Sequence, residues 1–103
     1  MSSSEIDPAQ CQSMAEVRLG VDSVDEEILR LLGRRFRFMD AAARIKPDRG
    51  AVRDEGRKAQ VLANVARLAG EHEVPAETAG ELYERLVEAS IAYEFGRFDE
   101  TRG

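Results

Sequence analysis

The sequence predicts an all-α fold of three helices per chain, one long and two shorter, assembled as a helical homodimer. Three observations lead there. From Met14 a stripe steps by threes and fours through Val17, Val21, Val24, Ile28, Leu31, Arg35, Phe38, Ala42 and Ile45, apolar at nine of its ten positions, which marks one buried helix face. No segment alternates apolar and polar residues as a strand does. A first helix of about thirty-two residues at ~1.5 Å each makes a rod of about 48 Å, against roughly 26 Å for the diameter of a compact monomer of this size. Two helices of about sixteen and twenty-three residues leave part of that rod uncovered, and a second copy of the chain is the simplest cover.

Residues 1–12 are polar and unpatterned and read as a flexible N-terminal tail, with the helical domain occupying 13–103. The first helix spans Met14 to Lys46. Pro47 stops it, and Pro47-Asp48-Arg49-Gly50 reads as a loop. Asp54 is the expected N-cap of a second helix from Glu55 to Gly70, whose stripe is Leu62, Val65 and Ala69 flanked by Val61 and Leu68; Gly70 is its expected C-cap. Pro75 falls in the first turn of the third helix, close to Glu77. That helix carries Ala79, Leu82, Leu86, Ala89 and Tyr93 and fades around Phe98.

Bulk properties narrow the function classes. At 103 residues the chain makes one domain. A net charge of −5 and a pI near 4.9 argue against nucleic acid or an anionic membrane as partner. No apolar run approaches the ~20 residues of a membrane span, and MSSSEIDPAQ lacks the apolar core of a signal peptide. A single cysteine, Cys11, forms no internal disulfide and suits a reducing cytoplasm. Cys11 is a candidate nucleophile on residue type alone, but His72 is the only histidine, and an inert thiol is the preferred reading. Metal-ligand clusters, Ser/His or Cys/His catalytic sets and Gly-rich phosphate loops find no support in the sequence, so no cofactor is expected.

The informative residue is Arg35, the one charge inside the apolar stripe. A guanidinium keeps its proton, so burial there demands an anion, either a carboxylate of the protein or one belonging to a ligand. Lys46, eleven positions on, shares the face of Arg35 to within about 20° and lies about 16 Å along the axis, a gap that suits a small dianion. Arg18 is about 25 Å from Arg35 and about 100° round the helix. It serves the same small ligand only from the other chain of an antiparallel dimer.

Each of these residues also has a plain structural reading. Arg35 pairs equally well with Glu88 or Glu94. Lys46 suits the negative end of a helix dipole, Arg18 a solvated surface and Asp54 a simple N-cap. Ser90 mid-helix commonly bonds back to the preceding turn, and Glu94, stacked one turn beyond it, is an ordinary surface residue type. Arg57 in a first helical turn is unfavourable for the dipole, which points to a specific role. The combination carries more weight than any single residue.

The combination resembles the all-helical chorismate mutase family over residues 14–98. The marks are VRLGVDSVDEEILRLLGRR, the helix end AARIK, and VRDEGR at the start of the second helix. The resemblance implies an intertwined homodimer with two active sites and the Claisen rearrangement of chorismate to prephenate, with no cofactor, in aromatic amino acid biosynthesis. It implies that Arg35 and, from the other chain, Arg18 clamp two carboxylates. Lys46 and Glu94 meet the ether oxygen, Glu94 only when protonated. Asp54 lies near the ring hydroxyl, Ser90 contacts a carboxylate, and Arg57 anchors a carboxylate or Asp54. Lys58 departs both from the Glu of typical mutases and from the apolar residue of the family's lyase branch.

One branch of the family is the isochorismate-pyruvate lyases of salicylate formation. LGRR with AARIK, and the short span from Lys46 to Arg57, are similar to that branch, while Asp54 and Ser90 look more like the mutases. The mutase reading is preferred and the lyase is its alternative. A non-catalytic helical dimer or metabolite-binding regulatory domain is the alternative of a different class.

Overall fold

The computed structural model describes residues 6–102. Three helices carry the fold: α1 (Met14–Ile45), α2 (Glu55–Glu71) and α3 (Ala76–Arg102), with short 3-10 turns at Pro8–Gln10 and Arg49–Ala51. Among the described residues there is no strand, and no helix is long and apolar enough to cross a membrane. The fold is all-α. The chain divides into two compact units, Met1–Arg37 and Phe38–Gly103, and α1 contributes to both.

The first unit is the N-terminal part of α1 with the segment that precedes it. Ser13 caps the helix: its Oγ accepts from the Glu16 N–H at 3.2 Å, while Glu16 Oε1 accepts from the Gln12 N–H at 2.8 Å. This is a variant of the capping box, two orphan donors met reciprocally. The expected tail is more ordered at its inner end than composition implies. Asp7 caps the Pro8–Gln10 turn, and half-buried Ile6 and Cys11 line an apolar cleft of about 260 Å³ with Val17, Gly20, Val21 and Val24. Residues 1–5, the rest of that tail, lie outside the described residues. Within one chain the α1 stripe is uncovered, with Met14 57%, Val21 52% and Leu31 50% exposed.

The second unit holds the C-terminal end of α1, the 3-10 turn, α2 and α3. α2 and α3 form an antiparallel hairpin: Lys58 near the start of α2 meets Glu84 and Glu88, whereas Val65 and Ala69 further along meet Ala79 and Tyr83. Two apolar clusters hold the unit. Ala43 from α1, Val52 from the loop and Phe98 from α3 pack with Ile91 and Phe95. Val65, Ala69 and Ala79 pack with Val61 and Tyr83.

Two boundaries differ from the sequence expectation. α2 passes Gly70 and is capped by His72, with Glu73 in the left-handed region at φ 57° and the Val74 N–H donating to Ala69 O at 2.9 Å. That is a Schellman closure, and Val74 and Leu68 line the same apolar surface beside it. Gly70, one turn early, keeps ordinary helical φ. α3 begins just after Pro75, whose carbonyl accepts from the Ala79 N–H, and runs to Arg102 because buried Phe98 and the bonds made by Arg102 itself anchor its last turn.

A charge cluster ties the start of α2 to α3. Glu88 accepts from Arg53 Nη2 at 2.7 Å and from Lys58 Nζ at 2.7 Å; Lys58 also reaches Glu84 at 2.8 Å, and Arg53 reaches Glu55 at 2.8 Å. The hydrogen bonds from Arg53 and then Lys58 hold the Glu88 carboxyl well below its ordinary value, at about 2. Glu84 and then Glu88 push the Lys58 ammonium upward.

Two outcomes are expected. Glu73→Gly relieves a left-handed non-glycine residue by about 1 kcal/mol, net of the extra freedom glycine gains when unfolded, and raises the Tm by a few degrees. A Tm at or below wild type refutes it. Because the Glu88 carboxyl is depressed on folding, its contribution to stability is complete above about pH 4.5 and is lost as pH falls toward about 2. Glu88→Gln therefore lowers the denaturation midpoint at neutral pH, and the gap to wild type closes across that window. A gap that persists unchanged at pH 2.5 rejects the assignment.

Candidate active site

The second unit brings together two of the residues singled out in the sequence. Lys46 follows the last residue of α1, where its N–H donates to Ala42 O at 2.9 Å and Pro47 stops the helix. Glu94 lies on the buried face of α3, its side chain 5% exposed. Lys46 Nζ is 2.7 Å from Glu94 Oε2 and donates to the Val52 carbonyl at 3.2 Å. The approach to Oε2 is off the hydrogen-bonding direction, so that oxygen is buried with a cation against it but accepts no hydrogen bond. The pair is an ion contact.

This geometry revises the plain reading of both residues. Lys46 is more than a partner of the helix dipole, because its ammonium turns inward to a carboxylate and a carbonyl. Glu94 is a buried residue, since α3 presents Ser90, Glu94 and Phe98 along one face at steps of four.

Ser90 sits one turn before Glu94, is buried, and donates from Oγ to Leu86 O at 2.7 Å, the back-bond expected of a mid-helix serine. Asp54 caps α2 as expected, accepting from the Arg57 N–H at 3.0 Å. Arg57 is exposed, with Nη1 3.4 Å from Gln60 Oε1. Lys58, the departure from the typical mutase pattern, is committed to Glu84 and Glu88. Arg18 and Arg35 belong to the first unit, Arg18 exposed and Arg35 half-buried. Glu88 has Arg53 and Lys58 against it, and Glu94 has Lys46. Cys11 is half-buried, its Sγ 3.8 Å from Asp7 O, far in sequence from any acid–base partner.

Sequence reasoning missed three contributors. Val52 is 2% exposed and lends its carbonyl to Lys46, although it stands in a loop with no periodicity to mark it. Asp40 on α1 accepts from Tyr93 Oη at 2.7 Å and from Arg97 Nε at 3.1 Å, pinning the end of α1 to α3 one position from Glu94. Arg102 grips the end of α1 from the far end of α3. The only signal for Asp40 was an acid opposite a tyrosine expected to be apolar.

Chemically, the arrangement offers a partly desolvated cation at a helix end, with a buried carboxylate beside it. Such a cation stabilises negative charge developing on a ligand oxygen, and needs little reorganisation to do so. Similarity to known proteins agrees with that chemistry. The chain is 31% identical over 96 residues to the isochorismate pyruvate lyase of Pseudomonas aeruginosa, covering 93% of this chain and 95% of the relative. It is 26% identical over 92 residues to the chorismate mutase of Methanocaldococcus jannaschii, covering 88% and 93%. The family model for chorismate mutase type II matches residues 17–95, well over half of the length, and the chain belongs to that family.

Proposed function

We propose that the protein is a chorismate mutase acting as a homodimer in the cytoplasm. The observation that carries the reading is the Lys46–Glu94 contact, a buried acid and a partly buried cation, in a chain of this family. The rearrangement breaks an ether C–O bond and forms a C–C bond within one molecule, with no net proton transfer and no covalent attachment to the protein. The protein's work is to hold a flexible dianion in its compact conformer and to stabilise charge on the departing oxygen.

In this reading Lys46 donates to the ether oxygen and to a carboxylate. Val52 O and Glu94 aim its ammonium before substrate arrives. Arg35 and Arg18, the latter supplied by the second copy, clamp the carboxylates with fork geometry. Arg57 anchors a carboxylate, Ser90 contacts one, and Asp54 faces the ring hydroxyl. The uncovered α1 stripe, including Phe38 at 58% and Ile45 at 70% exposure, supports pairing with a second copy. The second reading is lyase activity on isochorismate, supported by the identity to the Pseudomonas aeruginosa protein over nearly its whole length.

Purified protein is given chorismate and isochorismate separately, and products are separated by chromatography. Prephenate from chorismate supports the mutase, salicylate with pyruvate from isochorismate supports the lyase, and unchanged substrates in both reactions reject both. Lys46→Ala lowers kcat by at least ~100-fold while the dimer still forms, since one such donor is worth roughly 3–4 kcal/mol in the transition state; near-normal turnover removes Lys46 from the mechanism. An ionised Glu94 repels charge growing on the ether oxygen, whereas glutamine of the same shape donates at every pH. Glu94→Gln therefore raises kcat near neutrality. A kcat identical to wild type removes Glu94 from contact with the reacting oxygen.

A further inference from the structure

α1 ends against a proline, and that leaves an unusual demand. In a continuing helix the Ala43 carbonyl would accept from residue 47, but Pro47 has no N–H. Ala43 is 1% exposed, so its carbonyl cannot turn freely to water, and a buried carbonyl left unmet is destabilising. Arg102 supplies the donor from the opposite end of the unit. Its Nη2 lies 3.2 Å from Ala43 O, 3.0 Å from Arg44 O and 3.0 Å from Lys46 O. Two hydrogens serve three carbonyls, an arrangement common at helix ends. The guanidinium also places positive charge at the negative end of the helix dipole. It stacks 4.1 Å from the ring centroid of buried Phe98, which fixes its plane.

Lys46 is thereby held along its whole length. Its N–H is bonded to Ala42 O and its carbonyl to Arg102, while its ammonium donates to Val52 O and lies in ion contact with Glu94. Of these holds only Arg102 ties the Lys46 main chain to another element. We propose that Arg102 is a positioning residue that fixes the last turn of α1 and so aims the ammonium of Lys46 at the reacting oxygen. The proposal rests on the reading of Lys46 as the donor to that oxygen. Arg102 lies beyond the residues 17–95 matched by the family model. It touches the main chain of Lys46 and not its ammonium, so its loss loosens aim and leaves the chemistry of the donor intact. Substrate anchoring, assigned to Arg18, Arg35 and Arg57, is left in place. The signature is a loss in kcat with little change in KM, since misplacing a group that acts in the transition state costs turnover.

The test uses the full chain as wild type, Arg102→Met and Arg102→Lys. Methionine keeps an apolar stem over Phe98 and removes every donor; lysine returns one cation to the carbonyls. Expected for Arg102→Met are a kcat about tenfold lower with KM within about twofold, a Tm within a few degrees, and faster amide hydrogen exchange across residues 43–46 than in wild type. Arg102→Lys recovers part of the kcat and of the protection. Wild-type kcat in Arg102→Met, unchanged exchange at 43–46, or equal losses in kcat/KM through KM alone overturns the proposal. If Arg102→Met does not fold, Arg102→Lys decides: reduced kcat at wild-type KM supports the role, and wild-type kcat overturns it. Wild-type protein that leaves chorismate unchanged defeats the proposed function alone, and the exchange measurement then still decides whether Arg102 orders the end of α1.

Discussion

A carboxylate buried on α3 faces an ammonium at the end of α1, and much of the second unit is arranged to keep them there. Taking either charge out of water costs several kcal/mol, and the attraction between them offsets this only while the geometry holds. The geometry is over-determined. Pro47 ends α1 at a fixed position, Val52 turns its carbonyl toward Lys46, and Asp40 joins the last turns of α1 to Tyr93 and Arg97 beside Glu94. The apolar cluster of Ala43, Val52 and Phe98 lies immediately under these polar contacts, so packing and charge placement reinforce each other.

Charge is distributed unevenly in the molecule. The chain is acidic as a whole, at −5, yet several cations stand at element ends: Lys46 and Arg49 after α1, Arg53 and Lys58 around the start of α2, Arg102 at the close of α3. Some are spent on architecture. Arg49 bonds Asp99 and lies over the Phe95 ring, and Arg53 with Lys58 saturates Glu88. Lys46 differs in having a partner that accepts no hydrogen bond from it. Arg49, Arg53 and Lys58 have full, well-aligned partners, whereas Lys46 is held by charge and a single carbonyl. The same distinction explains how a lysine at position 58 is accommodated: two glutamates on α3 occupy it.

The first unit makes a complementary point about assembly. Its helix presents Met14, Val17, Val21, Val24, Ile28 and Leu31 to solvent in the single chain, which is more contiguous apolar surface than a monomer ordinarily leaves open. Ile6 packs over that helix beside Gly20, where an added Cβ would lie in ordinary van der Waals contact, 3.8 Å from the Ile6 side chain. The segment before α1 thus covers a small part of the stripe and leaves the remainder exposed in the single chain.

Local signals in the sequence determined the three helices, the stop of α1 and the starts of α2 and α3. The three-four stepping marked α1, Asp54 marked the start of α2, and Pro47 and Pro75 marked breaks, because each acts through the residue's own backbone chemistry or through neighbours within one turn. Lys46 and Glu94 were legible as members of a set, from residue type at family spacing, but not as a contacting pair. Tertiary structure alone decided that Glu94 is buried, that Val52 belongs to the core, and that Arg102 completes the end of α1. Those contacts join residues some six to sixty positions apart. No periodicity or capping rule reaches across such gaps; which carbonyl an arginine satisfies depends on how the helices pack, and packing is a property of the whole chain.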